Sequence, residues 1–461
     1  MSCLIVVGAL ALLMFVAYRG LSVIVFAPVA AMLAVLLTDP NAIAPAFIGL
    51  FMEKLVGFMK LYFPVFLLGA LFGKLIELAG LSQAIAAAVI RVAGRTHAML
   101  AIVVVCAILT YGGVSLFVVV FAVYPLAADL FRQAEIPKRL IPGTIALGAF
   151  TFTMDSLPGS PQIQNIIPTT FFHTTTWAAP RLGLAGAAFI LTVGLFYLRW
   201  RRGTMPGEGY GAGHTNEPSA APEGSRQSAF LALLPLVVVG ITNKLLTDWI
   251  PRHYGKQYDL ALPGMDHPVS VQIPGVAAIW AVEAALIVGM LTVLVIAWRP
   301  VSTRFAEGSR AAIAGALLAS TNTASEYGFG AVIAALPGFV VVREALRAIP
   351  NPLVNEAVAV TTLAGITGSA SGGLSIALAA MGDDFICAAT TAGIPPEVLH
   401  RVASMASGGM DTLPHNGAVI TLLAVTGLSH RQAYRDIFAV TCIKTAAVFV
   451  VVAVYYATGL V

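Results

Sequence analysis

The chain has 461 residues, of which 58% are hydrophobic and 10% are charged, and its formal net charge is +4. Soluble domains carry roughly 25% charged residues, so this chain cannot cover a globule of its size with a hydrated surface. The composition excludes a soluble enzyme, a disordered chain, a nucleic-acid binder and a disulfide scaffold. It predicts an all-α polytopic membrane protein surrounded by the lipid bilayer.

Stretches of about 20 apolar residues are long enough to cross a bilayer as helices. In chain order, the predicted crossings lie near residues 2–18, 21–38, 61–79, 140–173, 183–200, 228–247, 275–298, 312–342, 396–428 and 436–458. Pro and Gly interrupt 140–173 and 396–428, and polar residues interrupt 312–342. Two further apolar stretches, 98–131 and 357–391, are broken in the middle by Gly and Ser, so we predict that they are re-entrant hairpins.

Two segments are predicted to lie outside the membrane. Residues 203–227 are rich in Gly, Pro, Ser and Glu, which is typical of a flexible linker, and residues 248–274 form a polar loop. If both hairpins turn back within the membrane, the linker lies on the side that is richer in Lys and Arg, which should be cytoplasmic. The expected topology in a bacterial inner membrane is multi-pass, with ten crossings and both termini periplasmic.

The two halves of the chain, residues 1–202 and 228–461, carry the same landmarks in the same order. Residues 154–158 (MDSLP) match residues 410–414 (MDTLP), and both hairpins contain a Gly-Gly pair at nearly the same offset. Because the first half has an odd number of predicted crossings, the second half would enter the membrane upside down. Inverted-topology repeats are typical of secondary transporters, whose sites lie near the midplane where broken helices face each other.

The two broken helices supply the first candidate substrate-binding residues. Pro158, Gly159 and Pro161 should break the first helix, because proline removes a backbone donor and clashes with the preceding turn. Ser160 is predicted to cap the restarted helix, and Asn416 should do the same in the second copy. Both restarted helices would direct their positive ends at the break and favour an anion. The candidates on the breaks are Ser156, Ser160, Gln162, Asn165, Thr412, His415 and Asn416.

The hairpin tips supply the second group of candidates. Small, hydroxylated, Gly-rich turns allow the backbone to approach a ligand closely. Ser115 and Ser375 are predicted to cap the return helices. An alternative is that the tip residues only cap and turn the chain. The candidates on the tips are Gly112, Gly113, Ser115, Ser371, Gly372 and Ser375.

Three acids within apolar stretches, Asp155, Asp411 and Glu326, are candidate ion-coupling residues. A carboxylate inside a membrane span is costly and is usually functional. The two aspartates could carry a proton or ligate Na⁺, or they could only accept hydrogen bonds from local backbone donors. Surface positions are expected for Asp383, Asp384, His400 and Arg401. We predict neither a metal site nor a cofactor.

Several motifs resemble the gluconate permease family (GntP) of the ion-transporter superfamily, over most of the chain. They are residues 72–80 (FGKLIELAG), the Gly-Gly tip at 112–113 and residues 367–370 (TGSA). The resemblance implies proton symport of small hydroxy-carboxylates, and the superfamily fold implies a homodimer that works as an elevator. The break at 154–161 (MDSLPGSP) departs from the gluconate permeases and is similar to the branch proposed to carry 3-hydroxybutyrate.

The residues leave several functions open. The first is proton-coupled symport of a small hydroxy-monocarboxylate, 3-hydroxybutyrate-like or gluconate-like, and the second is Na⁺-coupled carboxylate symport. An intramembrane enzyme could use Asp155 and Asp411 as general acid and base, and a passive anion channel is a further alternative. The duplication copies the helix breaks together with the acids, which favours a transporter and argues against an enzyme.

Overall fold

The structure is a computed structural model that describes residues 2–19, 21–94, 97–114, 116–205, 207–211, 217, 228–414 and 416–461. Most of these residues are helical, and a single antiparallel strand pair is the only sheet in this part of the chain. Six of its helices are long and apolar enough to cross a membrane, or seven if one bent pair counts as a crossing. The predicted all-α polytopic membrane fold is therefore confirmed.

The first half of the chain contains eleven helices within the described residues. They are α1 Ser2–Tyr18, α2 Val23–Thr38, α3 Ile43–Ala46, α4 Glu53–Leu78, α5 Leu81–Ala93, α6 Ala98–Tyr111, α7 Leu116–Gln133, α8 Leu140–Ala149, α9 Phe152–Asp155, α10 Ile163–Phe172 and α11 Pro180–Gly203. A 3-10 turn, Pro40–Ala42, and a π-helical segment, Phe47–Met52, flank α3. Helices α6 and α7 form the first hairpin, and α8 to α10 form the first broken helix.

The second half repeats this order. Its helices are α12 Ala229–Tyr254, α13 Ala277–Ser302, α14 Phe305–Ala335, α15 Pro337–Arg347, α16 Pro352–Thr367, α17 Ala370–Thr391, α18 Pro396–Gly408, α19 Gly417–Thr426 and α20 His430–Thr458. The strands β1 Gln257–Leu260 and β2 Val269–Gln272 join α12 to α13, with a 3-10 turn at Ile273–Gly275. Helices α16 and α17 form the second hairpin. Helix α18, a 3-10 turn at Gly409–Thr412 and α19 form the second broken helix.

The helices of the two halves pack against each other reciprocally. Helix α4 contacts α14, and α11 contacts α20. Helix α5 contacts α12, and its counterpart α15 contacts α1. Helix α10 contacts α17 and α18, and its counterpart α19 contacts α7 and α8. Such an exchange of partners is what a pseudo-two-fold relation between two repeats produces. It agrees with the inverted-repeat plan. The restarted helix of each half, α10 or α19, lies against a hairpin helix of the other half.

The helices that lead into the two breaks form the centre of the molecule. Every residue of α8 is buried, and so is every residue of α18 from Val398 to Gly408. A helix that is buried all round lies in the interior of a protein. The other helices therefore enclose the segments that carry the two breaks.

Three stretches differ from the sequence predictions. The polar residues do not interrupt 312–342, because α14 runs unbroken to Ala335 and the bend of 82° follows at Leu336. Leu336 precedes a proline, which pushes its backbone into the extended region. The loop 248–274 contains the strands β1 and β2, and the crossing expected at 61–79 belongs to a helical stretch that begins at Pro40.

Candidate functional site

The first helix break lies between Asp155 and Ile163. Gly159, in the middle of the unwound stretch, has a φ of 76°, which is the left-handed conformation that glycine adopts readily. The prediction that Ser160 caps the restarted helix is wrong, because α10 begins only at Ile163. The Ser160 hydroxyl instead donates to Thr153 O at 2.8 Å. It therefore ties the unwound chain back to the helical turn that precedes it.

The second break separates α18 from α19. Asn416 Oδ1 accepts a hydrogen bond from Ala418 N at 2.7 Å, so the predicted cap is present. Thr412 is fully buried, and its hydroxyl lies 2.7 Å from the hydroxyl of Thr441 on α20. The candidate His415 lies outside the described residues.

Each break is hydrogen-bonded to the hairpin tip of its own half. Gln162 Nε2 donates to Thr110 O at 2.7 Å, at the end of α6. Asn416 Nδ2 donates to Gly368 O at 2.8 Å, directly after α16. In both halves a side-chain amide from the break satisfies a carbonyl at the tip, so break and tip form one hydrogen-bonded unit.

The first tip turns at Gly112 and Gly113. Gly113 has a φ of 94°, and a Cβ at this position would stand 3.3 Å from the side chains of Leu286 and Pro161. The glycine therefore lets the tip lie close to the first break, because Pro161 belongs to the unwound stretch. Ser115, the predicted cap of the return helix, lies outside the described residues.

The second tip is capped by Ser369, whose hydroxyl accepts a hydrogen bond from Gly372 N at 3.1 Å. The prediction of a Ser375 cap is wrong, because α17 begins directly after Ser369. Ser375 is a buried helical residue that donates to Ser371 O at 2.7 Å. The Ser371 hydroxyl lies 3.2 Å from that of Thr323, which links the second tip to α14.

Asp155 forms an ion pair with Lys444 of α20, and both side chains are buried. Ser156 Oγ donates to Asp155 Oδ1 at 2.8 Å, and Lys444 Nζ also donates to Phe150 O at 3.2 Å. A Cβ on Gly408 would collide with both members of the pair. The absence of a side chain at Gly408 therefore allows α18 to pack directly against the pair. Lys444 was not predicted from the sequence, although a cation inside an apolar crossing is itself an indication of function.

His400 and Arg401 were expected at the surface, and this prediction is wrong because both are fully buried. Arg401 Nη1 donates to Asp155 O at 2.6 Å and to Asn165 Oδ1 at 3.1 Å, while Nε and Nη2 donate to Ala178 O. His400 Nε2 lies 3.2 Å from Asn165 Oδ1. An unwound stretch leaves carbonyl groups that need donors, and α18 supplies them. These contacts fasten the first break to the second half.

Asp411 accepts three hydrogen bonds. Its Oδ1 accepts from Ala370 N at 2.8 Å and from Asn416 Nδ2 at 3.3 Å, and its Oδ2 accepts from Gln164 Nε2 at 2.8 Å. Ala370 begins α17, so the carboxylate lies at a helix N-terminus, where negative charge is favourable. Gln164 belongs to α10 and was not among the predicted residues. Its contact with Asp411 joins the two breaks directly.

Glu326 is buried on α14 and faces the second tip. Its side chain interacts with the Ser369 hydroxyl, and a Cβ on Gly372 would collide with its carboxylate. Glu326 Oε2 has no hydrogen-bond partner among the described residues. An ionised carboxylate that is buried with one unpartnered oxygen is costly, and a proton on that oxygen would remove the cost. Glu356 of α16, which sequence reasoning missed, is also fully buried, and neither of its oxygens has a partner within the same part of the chain.

The breaks bring two carboxylates and two cations into one buried region. Asp155 is close enough to Lys444 and Arg401 to interact with both electrostatically, and Asp411 interacts with Lys444 and Asp155. The four formal charges cancel. An anion that entered this region alone would leave one charge uncompensated in a medium of low dielectric constant.

The match with one curated protein agrees with a transporter. A protein of Bacillus subtilis (strain 168), described as the uncharacterized transporter YxjC, is 57% identical over 473 residues, and the match covers 100% of both chains. Among solved structures, the YdaH transporter of Alcanivorax borkumensis, described as having an unusual topology, matches with a TM-score of 0.48 and 17% identity over 88% of each chain. No family model matches the chain.

Proposed function

The chain belongs to the transporter family that includes YxjC of Bacillus subtilis, and from this premise we propose that it is a secondary active transporter for a small hydroxy-monocarboxylate, driven by proton symport. The proposed substrates are 3-hydroxybutyrate-like or gluconate-like anions, and the proposed location is the bacterial inner membrane. The motifs that resemble the gluconate permease family support this substrate class.

Binding of an anion is supported by the cations and the helix ends at the two breaks. Lys444 and Arg401 are buried beside the first break, and α10 begins there without a side-chain cap. The positive end of a helix favours a negative ligand. A carboxylate bound between the breaks would be stabilised both by the two cations and by the positive end of α10.

Coupling to protons is supported above all by Glu326, the observation that carries the proposal. Its free carboxylate oxygen faces a hairpin tip, so a proton can bind there without displacing a hydrogen bond. The other two candidates are already engaged, since Asp155 is paired with Lys444 and Asp411 accepts three hydrogen bonds. Glu326 is therefore our first choice for the acid that takes up the proton when the anion binds.

An elevator-type movement is supported by the way in which each break is tied to its tip. These units also contact each other through Gln164 and Asp411, so they would move together as one body. The proposed cytoplasmic position of the linker is supported by its ion pairs. Glu208 pairs with Arg139 and Glu217 pairs with Lys138, on the side that is rich in basic residues.

The experiment is uptake of labelled 3-hydroxybutyrate into proteoliposomes. We expect accumulation under an inward pH gradient in the absence of Na⁺. We expect Glu326→Gln to abolish accumulation but to retain exchange of labelled for unlabelled substrate, because exchange needs no net proton movement. Glu307→Gln is the matched control, an exposed acid on the same helix, and should accumulate substrate as the wild type does.

Three outcomes would contradict the proposal or part of it. Accumulation by Glu326→Gln at the wild-type level would remove Glu326 from coupling. Accumulation that requires a Na⁺ gradient and ignores the pH gradient would replace proton symport by the Na⁺-coupled alternative. Equilibration without accumulation, together with a flux that does not saturate, would identify a passive channel.

A further inference from the structure

We propose that Lys444 is the cation that binds the carboxylate of the substrate, and that Asp155 occupies Lys444 when the site is empty. Asp155 is then an internal competitor of the substrate. This inference rests on the proposed function, because it assumes that a hydroxy-monocarboxylate binds between the two breaks. It assigns to Asp155 a role in affinity that is separate from proton uptake by Glu326.

The surroundings of the ion pair allow such an exchange. The main chain of Asp155 is fixed independently of its carboxylate, since Arg401 Nη1 and Ser404 Oγ donate to Asp155 O at 2.6 Å and 3.0 Å. The Ser156 hydroxyl holds the second carboxylate oxygen at 2.8 Å. The carboxylate of Asp155 could therefore leave Lys444 by a rotation of the side chain, while the break keeps its conformation.

Lys444 keeps a second anchor during the exchange. Its ammonium group donates to Phe150 O at 3.2 Å, so it would stay in place beside the first break when Asp155 leaves. Breaking a buried ion pair is strongly unfavourable if the remaining charge has no partner. An incoming carboxylate supplies that partner, whereas a neutral molecule does not. The site would therefore select for an anion.

Hydroxyl groups next to Lys444 indicate the class of anion. Thr441 stands three residues before Lys444, so these two side chains share one face of α20, and Thr445, four residues after Thr441, lies next to Thr441. Thr412 lies opposite, with its hydroxyl 2.7 Å from that of Thr441. A Cβ on Gly409 would stand 2.7 Å from Thr445 Oγ1, so glycine lets the turn approach this face. A cation among hydroxyl groups suits a short acid that carries a hydroxyl.

Asp411 provides a matched comparison for Asp155. Both are buried aspartates that interact electrostatically with Lys444. Only Asp155 forms an ion pair with it, whereas Asp411 accepts its hydrogen bonds from neutral groups. Removal of either negative charge should attract an anion to the region in general. Removal of Asp155 alone should free the cation that the anion uses.

The experiment compares the dissociation constants of 3-hydroxybutyrate for the purified full-length protein and its variants by calorimetry. If Asp155 occupies Lys444 for about nine-tenths of the time, Asp155→Asn lowers the apparent Kd about tenfold. Asp411→Asn should change it by less than about threefold, since it frees no cation. The double variant Asp155→Asn with Lys444→Met, in which the buried charges are again balanced, should lose binding. Butane-1,3-diol, which has the same skeleton but no carboxylate, should not bind to any of these proteins.

The order of these affinities decides the inference. It is overturned if Asp155→Asn binds 3-hydroxybutyrate no more tightly than the wild type, or if Asp411→Asn gains as much affinity. If Asp155→Asn does not fold, the double variant decides, and wild-type affinity in that protein overturns the inference. Failure to bind by both the wild type and Asp155→Asn would overturn the inference and the proposed substrate together. Normal affinities without proton-driven accumulation would contradict only the proposed function.

Discussion

Replacement of Gly408 by alanine tests whether the Asp155–Lys444 ion pair depends on the bare backbone of α18. A Cβ at this position would stand 2.8 Å from Lys444 Cε, and closer still to the ammonium group and to Asp155 Oδ2. The added Cβ would overlap the space that the paired groups occupy in the buried centre of the molecule. We expect the added methyl group to separate the pair.

The expected loss of stability follows from two opposing terms. Breaking a buried ion pair costs about 3–5 kcal/mol, and a change from glycine to alanine in a helix returns up to about 1 kcal/mol. The free energy of unfolding should therefore fall by about 3 kcal/mol. With about 2 cal/mol/K of unfolding entropy per residue, a chain of 461 residues loses about 3 °C in Tm.

The assay is thermal unfolding in detergent, with Gly57→Ala as the matched control. Gly57 lies inside α4, and a Cβ there would meet no atom within 4 Å, so this variant should keep or slightly raise the Tm. Gly408→Ala should also lose transport of 3-hydroxybutyrate, whereas Gly57→Ala should not. Equal Tm values and equal transport in the two variants would refute the reasoning that Gly408 exists to make room for the pair.

Two further predictions concern Arg401 and the linker. Arg401→Met should lower the Tm by about 3 °C, because Ala178 O and Asn165 Oδ1 lose their buried hydrogen bonds from the guanidinium, whereas the exposed Arg310→Met should change it by less than about 1 °C. Equal shifts would contradict the assigned role. Burial raises the pKa of Glu217, but hydrogen bonds from Lys138 and Arg132 outweigh this effect and lower it. A lowered pKa stabilises the folded contact above the unfolded value of about 4.3, and this contribution disappears as the pH falls through the folded value. Hydrogen exchange of residues 207–211 should therefore be faster in Glu217→Gln than in the wild type at pH about 7, and the difference should vanish at low pH. Equal exchange rates at neutral pH would show that the Glu217 contact does not hold these residues in place.

The helix breaks could be predicted from the sequence because their cause is local. Pro158, Gly159 and Pro161 lie within four residues of one another and end the first helix, and Asn416 caps α19 with its own side chain after the second break. The start of α10 could not be placed correctly, because Ser160 has a competing acceptor in Thr153. A serine before a proline indicates a possible cap, but the nearest strong acceptor decides where its hydroxyl points.

The charged centre of the site could not be predicted, because its partners are far apart in the chain. Lys444 and Phe150 are 294 residues apart, and Arg401 and Asp155 are 246 residues apart. Arg401 follows a proline and a glutamate at the start of a helix, a pattern that is typical of a surface position. Only the packing of α18 inside the molecule makes Arg401 a buried donor. The sequence could indicate that Asp155 needs a partner, but not which residue supplies it.

The origin of the central charges bears on how the duplicated chain could have arisen. Counting back the 256 residues that separate Asp411 from Asp155 leads from Lys444 to Ala188 and from Arg401 to Ile145, so neither cation has a counterpart in the other half. Two identical half-length chains would have to place each cation twice, at both equivalent breaks. A buried centre whose two cations both lie beside one break is accessible only when each half can change independently. The unequal placement of the two cations is thus possible in the single long chain. It would not be possible in a symmetric pair of identical chains of half its length.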